Sequence, residues 1–172
     1  VCYIAGMKHL LLAIATLTSA IALCSADTPA NPIPKETRMK TKANGTFDVK
    51  MLPQPAGEKT GDAVGRFALD KQYRGDLEAS SLGEMLAALT AVKGSAGYVA
   101  IEKVTGKLGG RSGTFCLQHS GLMARGEGNM SVVVIPDSGT GELTGLVGVM
   151  TIKIAPDGSH SYEFDYSVPN KS

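Results

Sequence analysis

Hydrophobic and polar positions fall into short strand-like segments from Gly45 onward, several of them alternating one by one. That is the period-two signature of β-strands with one buried face. Thr46-Phe47-Asp48-Val49-Lys50-Met51 alternates strictly until Pro53-Gln54-Pro55 stops it. Residues 65–73 alternate again, with Phe67, Leu69 and Tyr73 on one face and Arg66, Asp70 and Gln72 on the other. Further strand-like runs occupy residues 77–90, 97–104, 113–123, 129–135, 143–154 and 160–168, each bounded by Gly, Asp, Asn or Pro. The least one-sided stretch is 78–89, where Leu82, Leu86 and Leu89 also fit a helix. A strand is the preferred reading there, because Gly83 weakens a helix interior and the neighbours are strands.

Pro136-Asp137-Ser138-Gly139-Thr140-Gly141 and Pro156-Asp157-Gly158 each join two apolar runs and read as hairpin turns. Eight strands in successive hairpins predict an all-β fold, an eight-stranded antiparallel up-and-down barrel. Closure removes the exposed edges and leaves an interior just wide enough for side chains or one small ligand. A two-sheet sandwich is the alternative. The 21 glycines and the absence of Trp among 172 residues suit turns and barrel bends.

The chain before Gly45 follows another pattern. Met7-Lys8-His9 precedes an apolar run at 10–23, and Ser25-Ala26 supplies small residues before Asp27. This reads as a secretory signal over residues 1–26, with the residues before Met7 as upstream sequence. A lipid anchor at Cys24 is the rival reading. The run is too short to predict a stable membrane span. Residues 27–44, with Pro29, Pro32 and Pro34, read as an extended linker, residues 45–168 as the barrel and 169–172 as a tail. The expected location is therefore outside the cytoplasm, periplasmic or secreted. Cleavage after Ala26 would leave Cys116 as the sole cysteine, so packing alone must hold the fold. All 16 acidic residues and 16 of the 17 basic ones follow that site, giving a neutral mature chain. No basic tract remains to track a phosphate backbone, which argues against nucleic acid as a partner.

Candidate chemistry follows from the strand faces. In the last strand His160, Tyr162, Phe164 and Tyr166 alternate with Ser161, Glu163, Asp165 and Ser167, so the aromatic set faces inward. Phe115, Leu117 and His119 face inward from another strand. If Lys103 points outward, Tyr98, Ala100 and Glu102 point in, and Val99 and Ile101 point out. The interior then combines Phe47, Phe67, Phe115, Tyr162, Phe164 and Tyr166 as ligand-binding rings with Tyr98, Glu102, His119 and Glu84 as candidate catalytic groups. A carboxylate buried there has its pKa raised by desolvation and can serve as acid or base. The competing reading makes the same groups structural hydrogen-bond partners. Two histidines and one cysteine after residue 26 give no dense metal-ligand spacing, so no metal or cofactor is expected. Gly94-Ser95-Ala96-Gly97 resembles a nucleophile elbow only in part, and Gly106 to Gly113 lacks the helix that a phosphate loop needs. Cys116 alternates with Phe115 and Leu117 and is expected outside the core as an inert thiol.

Several longer motifs carry a resemblance. Leu69-Asp70-Lys71-Gln72-Tyr73 with Gly75-Asp76-Leu77-Glu78, Gly94-Ser95-Ala96-Gly97-Tyr98-Val99-Ala100-Ile101-Glu102 and Gly110-Arg111-Ser112-Gly113-Thr114-Phe115 are three of them. Leu117-Gln118-His119-Ser120-Gly121 and Pro136-Asp137-Ser138-Gly139-Thr140-Gly141-Glu142-Leu143 extend the set. Together, over roughly residues 45–168, they resemble a bacterial family named domain of unknown function 3224. The resemblance implies a barrel of the allene oxide cyclase group, with eight antiparallel strands around a central cavity and frequent assembly into homo-oligomers. It brings no catalytic residues. Three functions remain open: a carrier of a small apolar or amphipathic molecule, a cofactor-independent isomerase, cyclase or hydrolase, and a structural barrel with a filled core. Convergence of Glu102, Tyr98 and His119 in an open cavity would favour catalysis, and an apolar cavity without convergence would favour binding.

Overall fold

The computed structural model describes residues 40–55, 57 and 64–169. The expected export signal, the rival Cys24 anchor, the expected linker up to residue 39 and the tail after Pro169 lie outside the described residues. Eight antiparallel strands form a closed barrel in sequence order: β1 Thr41–Gln54, β2 Gly65–Gly75, β3 Leu77–Leu89, β4 Ala96–Leu108, β5 Arg111–Ala124, β6 Glu127–Val134, β7 Val147–Ile154 and β8 His160–Ser167. β1 begins at Thr41 rather than at Gly45. Its first residues pair with β8, Thr41 opposite Tyr166 and Ala43 opposite Phe164, and this closes the barrel. The ambiguous stretch is strand β3, paired along its length with β4. Gly83 belongs there for a packing reason. A Cβ at Gly83 would stand 2.4 Å from the Ile101 carbonyl oxygen and 2.7 Å from Glu102 Cβ.

Alternation puts one face of every strand in the core. The β3–β4, β5–β6 and β7–β8 connections share one end of the barrel. The β2–β3, β4–β5 and β6–β7 connections share the other. The second end is filled: Leu77, Leu108, Leu143 and Leu146 have no exposed surface there. Leu143 and Leu146 come from the start of the run expected to be a strand, just after the turn expected to make a hairpin. β6 instead stops at Val134, and β7 starts at Val147 rather than near Leu143. Between them the chain runs along the free edge of β5, with Thr140 N donating to Thr114 O at 2.8 Å and Cys116 N to Ser138 Oγ at 3.0 Å. A 3-10 turn at Gly141–Leu143 then drops the two leucines into the barrel end. The local turn at Pro136-Asp137 forms, but burial of these leucines outweighs a tight reversal. The second expected hairpin is present: Ala155 N donates to Ser159 O, and Gly158 N to Ala155 O, both at 2.9 Å.

Candidate functional site

Glu102 on β4 is fully buried, and its carboxylate takes four hydrogen bonds. Tyr73 Oη donates to Oε1 at 2.7 Å, His119 Nε2 lies 2.9 Å from the same oxygen, and Lys71 Nζ 3.1 Å from it. Ser81 Oγ donates to Oε2 at 2.6 Å. As Oε1 is an acceptor, His119 must carry its proton on Nε2 to complete the set. Strands β2, β3, β4 and β5 each contribute, and every partner is an inward position of its strand. Lys71 and His119 are nearly sealed, at 5% and 3% exposure. The Lys71 ammonium also sits 5.1 Å from the centre of the Phe47 ring.

Burial by itself would raise the Glu102 pKa. The hydrogen bond from His119, the Lys71 charge, the charge interaction with His119 and the Ser81 hydroxyl outweigh it and hold the carboxyl down at about 2. The expected raised pKa is thus corrected. Desolvation acts as anticipated, but the donors around the carboxylate act more strongly. Tyr73 is driven in the opposite direction, its pKa raised by burial and then by the adjacent Glu102 charge. It remains a phenol and a donor.

Glu102 and His119 therefore come together as expected, and Tyr98 and Glu84 do not join them. Tyr98 faces inward, but four residues from Glu102 along β4, roughly 13 Å at the rise of a strand. Its ring lies over Gly121, where a Cβ would stand 2.3 Å from the ring. Its hydroxyl makes no hydrogen bond to any described residue, and burial of the ring pushes its pKa up. Glu84 is corrected from an interior to an exterior position. Ser81 and Gly83 occupy the inward parity of β3, so Glu84 points to water and pairs with Arg66 at 2.8 Å. Val99 and Ile101 face outward as expected, each 54% exposed.

The aromatic residues expected to bind a ligand mostly contact one another. Phe115 stacks on Phe164 with ring centres 6.0 Å apart, and Phe164 meets Tyr166 at 5.4 Å. Phe47 packs on Tyr73 at 5.2 Å and on His160 at 4.9 Å. Tyr162 Oη accepts from Leu77 N at 2.9 Å. Phe67 is half-buried near the opposite end. Most of these rings fill the barrel, and Phe47 also borders a pocket of about 420 Å³ beside Thr46 and His160. Lys71, Tyr73 and Ser81 were missed as site residues. Lys71 sits at an inward parity between Leu69 and Tyr73, which was the available signal.

Free volume lies at the first end. A cleft of about 700 Å³ is lined there by Met85, Tyr98, Leu122, Met130, Met150 and Ile152 among others, with no charged side chain in its wall. It extends to the seam between β6 and β7, which are bridged only at Val133 and Val149 among the described residues. Asn129 and Ser131 on one strand and Thr151 on the other give it a few polar groups. The buried cluster is not part of its lining. Among the described residues no three His, Cys, Asp or Glu side chains are grouped to hold a metal ion.

The model of the family described as "Protein of unknown function (DUF3224)" matches residues 43–166, which is β1 to β8 almost entire. The chain belongs to the DUF3224 family. A solved structure of a DUF3224 protein of unknown function from Shewanella oneidensis MR-1 is 53% identical, with a TM-score of 0.71. The match covers 77% of this chain and 100% of that one. No curated protein matches. The whole of that solved chain corresponds to part of this one.

Proposed function

We propose that this DUF3224 protein binds a small, uncharged, largely apolar molecule in the mouth of its barrel. The observation that carries the reading is the 700 Å³ cleft with no charge in its lining. Its size is that of an ordinary small-molecule site. An ionised ligand would be desolvated there without a partner, and a neutral one loses little. Met85, Met123, Met130 and Met150 give the wall four flexible thioether side chains that can adjust to an apolar surface. The free hydroxyl of Tyr98 offers a hydrogen bond to a carbonyl or hydroxyl on the ligand.

Proton-transfer catalysis has less support. A general base works best with a pKa near the operating pH and within reach of its substrate. Glu102 is held at about 2 by donors that already occupy it, and it is fully buried and not part of the cleft wall. Its cluster is better read as a rigid brace that fixes four strands. The apolar run at 10–23 supports placing this carrier outside the cytoplasm.

The test is a fluorescence titration with N-phenyl-1-naphthylamine, a neutral apolar probe. A saturable rise is expected, and it should vanish in Ala87→Trp, which fills the inner wall of the cleft. No saturable signal, or an unchanged one in Ala87→Trp, would overturn the reading. Native mass spectrometry of the purified protein identifies the class of any molecule that accompanies it.

A further inference from the structure

One corner of the open end carries an unusual surface. The β3–β4 and β5–β6 turns are tied together there, Gly126 N donating to Gly94 O at 2.9 Å and Arg125 N to Ser95 Oγ at 3.0 Å. Around this joint Leu89 is 83% exposed, Leu122 70% and Val92 49%, with Met123 and Met130 at 42%. Turn tips in water are ordinarily polar, so five large apolar side chains at one corner call for a cover. Lys93 and Arg125 stand exposed on the same two turns, and neither forms an ion pair among the described residues. Glu127 offsets one of them, which leaves this corner with net charge +1. Arg125 is held at φ 54, a left-handed conformation that glycine adopts more readily.

We propose that this corner docks on an anionic lipid surface. Val92, Leu122 and Met123 enter the acyl boundary, and Lys93 and Arg125 meet phosphate headgroups. Leu89, Leu122, Met123 and Met130 also line the cleft, so the apolar surface runs unbroken from the turn tips into the barrel. A bilayer covers the tips and leaves that path open to a molecule leaving the membrane. A second copy seated face to face would set Lys93 and Arg125 against their own counterparts and seal both mouths. Uptake of the ligand from the membrane rests on the binding reading above, but docking itself does not.

The experiment uses residues 40–172, which carry all eight strands, once a cooperative circular dichroism melt shows that they fold, so that the apolar run at 10–23 contributes nothing. Flotation is compared with vesicles of phosphatidylcholine and phosphatidylglycerol at seven to three and with phosphatidylcholine alone. The protein should float with the anionic vesicles and far less with the neutral ones. Val92→Asp should abolish flotation, and Lys93→Gln with Arg125→Gln should weaken it about thirtyfold, from roughly one headgroup interaction per cation. Neither Val92, Lys93 nor Arg125 lines the cleft, so naphthylamine binding should persist in both variants. No flotation, or equal flotation of Val92→Asp, overturns the docking proposal. So does a dimer in sedimentation equilibrium that Val92→Asp dissociates. Ala87→Trp separates the two readings, because it should float normally while losing the probe.

Discussion

Lys71 and Glu102 meet at 3.1 Å inside the barrel from strands that are not neighbours, one on β2 and the other on β4. β3 lies between them and contributes Gly83 opposite Glu102 and Ser81 opposite Lys71. The missing side chain at Gly83 and the short one at Ser81 leave room for the ion pair to form over β3.

Removing one partner of a sealed pair leaves the other charge buried and alone. Lys71→Met should destabilise the fold by about 3–5 kcal/mol in guanidinium unfolding. Adding Glu102→Gln to Lys71→Met should recover much of that loss, because no uncompensated charge then remains. If the single and double variants are equally unstable, the pair is not coupled as described.

The low pKa of Glu102 links stability to pH. Its folded value of about 2 lies below the ordinary 4.5, so the native state favours the ionised form. This contribution is complete above the unfolded value and is lost as pH falls from 4.5 towards 2. It amounts to roughly 3 kcal/mol at neutral pH, from about 1.4 kcal/mol per pKa unit. Thermal unfolding of the parent should weaken steeply over that acid range, and Glu102→Gln should show a shallower slope there.

Gly83→Ala should cost about 1–3 kcal/mol, since the new methyl group meets the Ile101 carbonyl rather than a movable side-chain end. Circular dichroism melts check this. An unchanged melting temperature would show that β3 and β4 can separate locally without loss.

Tyr98→Phe removes a hydroxyl with no partner among the described residues, so stability should change by less than about 0.5 kcal/mol. Affinity for probes bearing a carbonyl or hydroxyl should fall, and affinity for purely hydrocarbon probes should hold. Equal losses for both probe types would remove Tyr98 as the polar contact.

Glu84→Ala breaks only an exposed ion pair with Arg66. It should cost at most about 1 kcal/mol and leave probe binding unchanged, as measured by denaturation and fluorescence titration.

Local pattern determined much of this protein by itself. Alternation and the turn residues between runs gave eight strands, the Pro-Asp-Gly turn gave the β7–β8 hairpin, and parity alone put Glu102, His119, Phe115 and Phe164 inside. These follow from the two-residue repeat of a strand, which needs no knowledge of the partner. Tertiary structure decided the rest. A shift of one residue in parity exchanges the faces of a strand, and Glu84 fell on the outer face once Ser81 and Gly83 were fixed by pairing with β4. Lys71 looks like a surface residue until Glu102, 31 positions away, supplies its counter-charge. The Glu102 pKa depends on donors from three other strands, so no local reading could give its sign. Leu143 and Leu146 leave their strand pattern because a barrel end has to be filled. The aromatic rings that looked like a ligand cage pack on each other, since the space between inward rings is set by closure and register rather than by the residues one at a time.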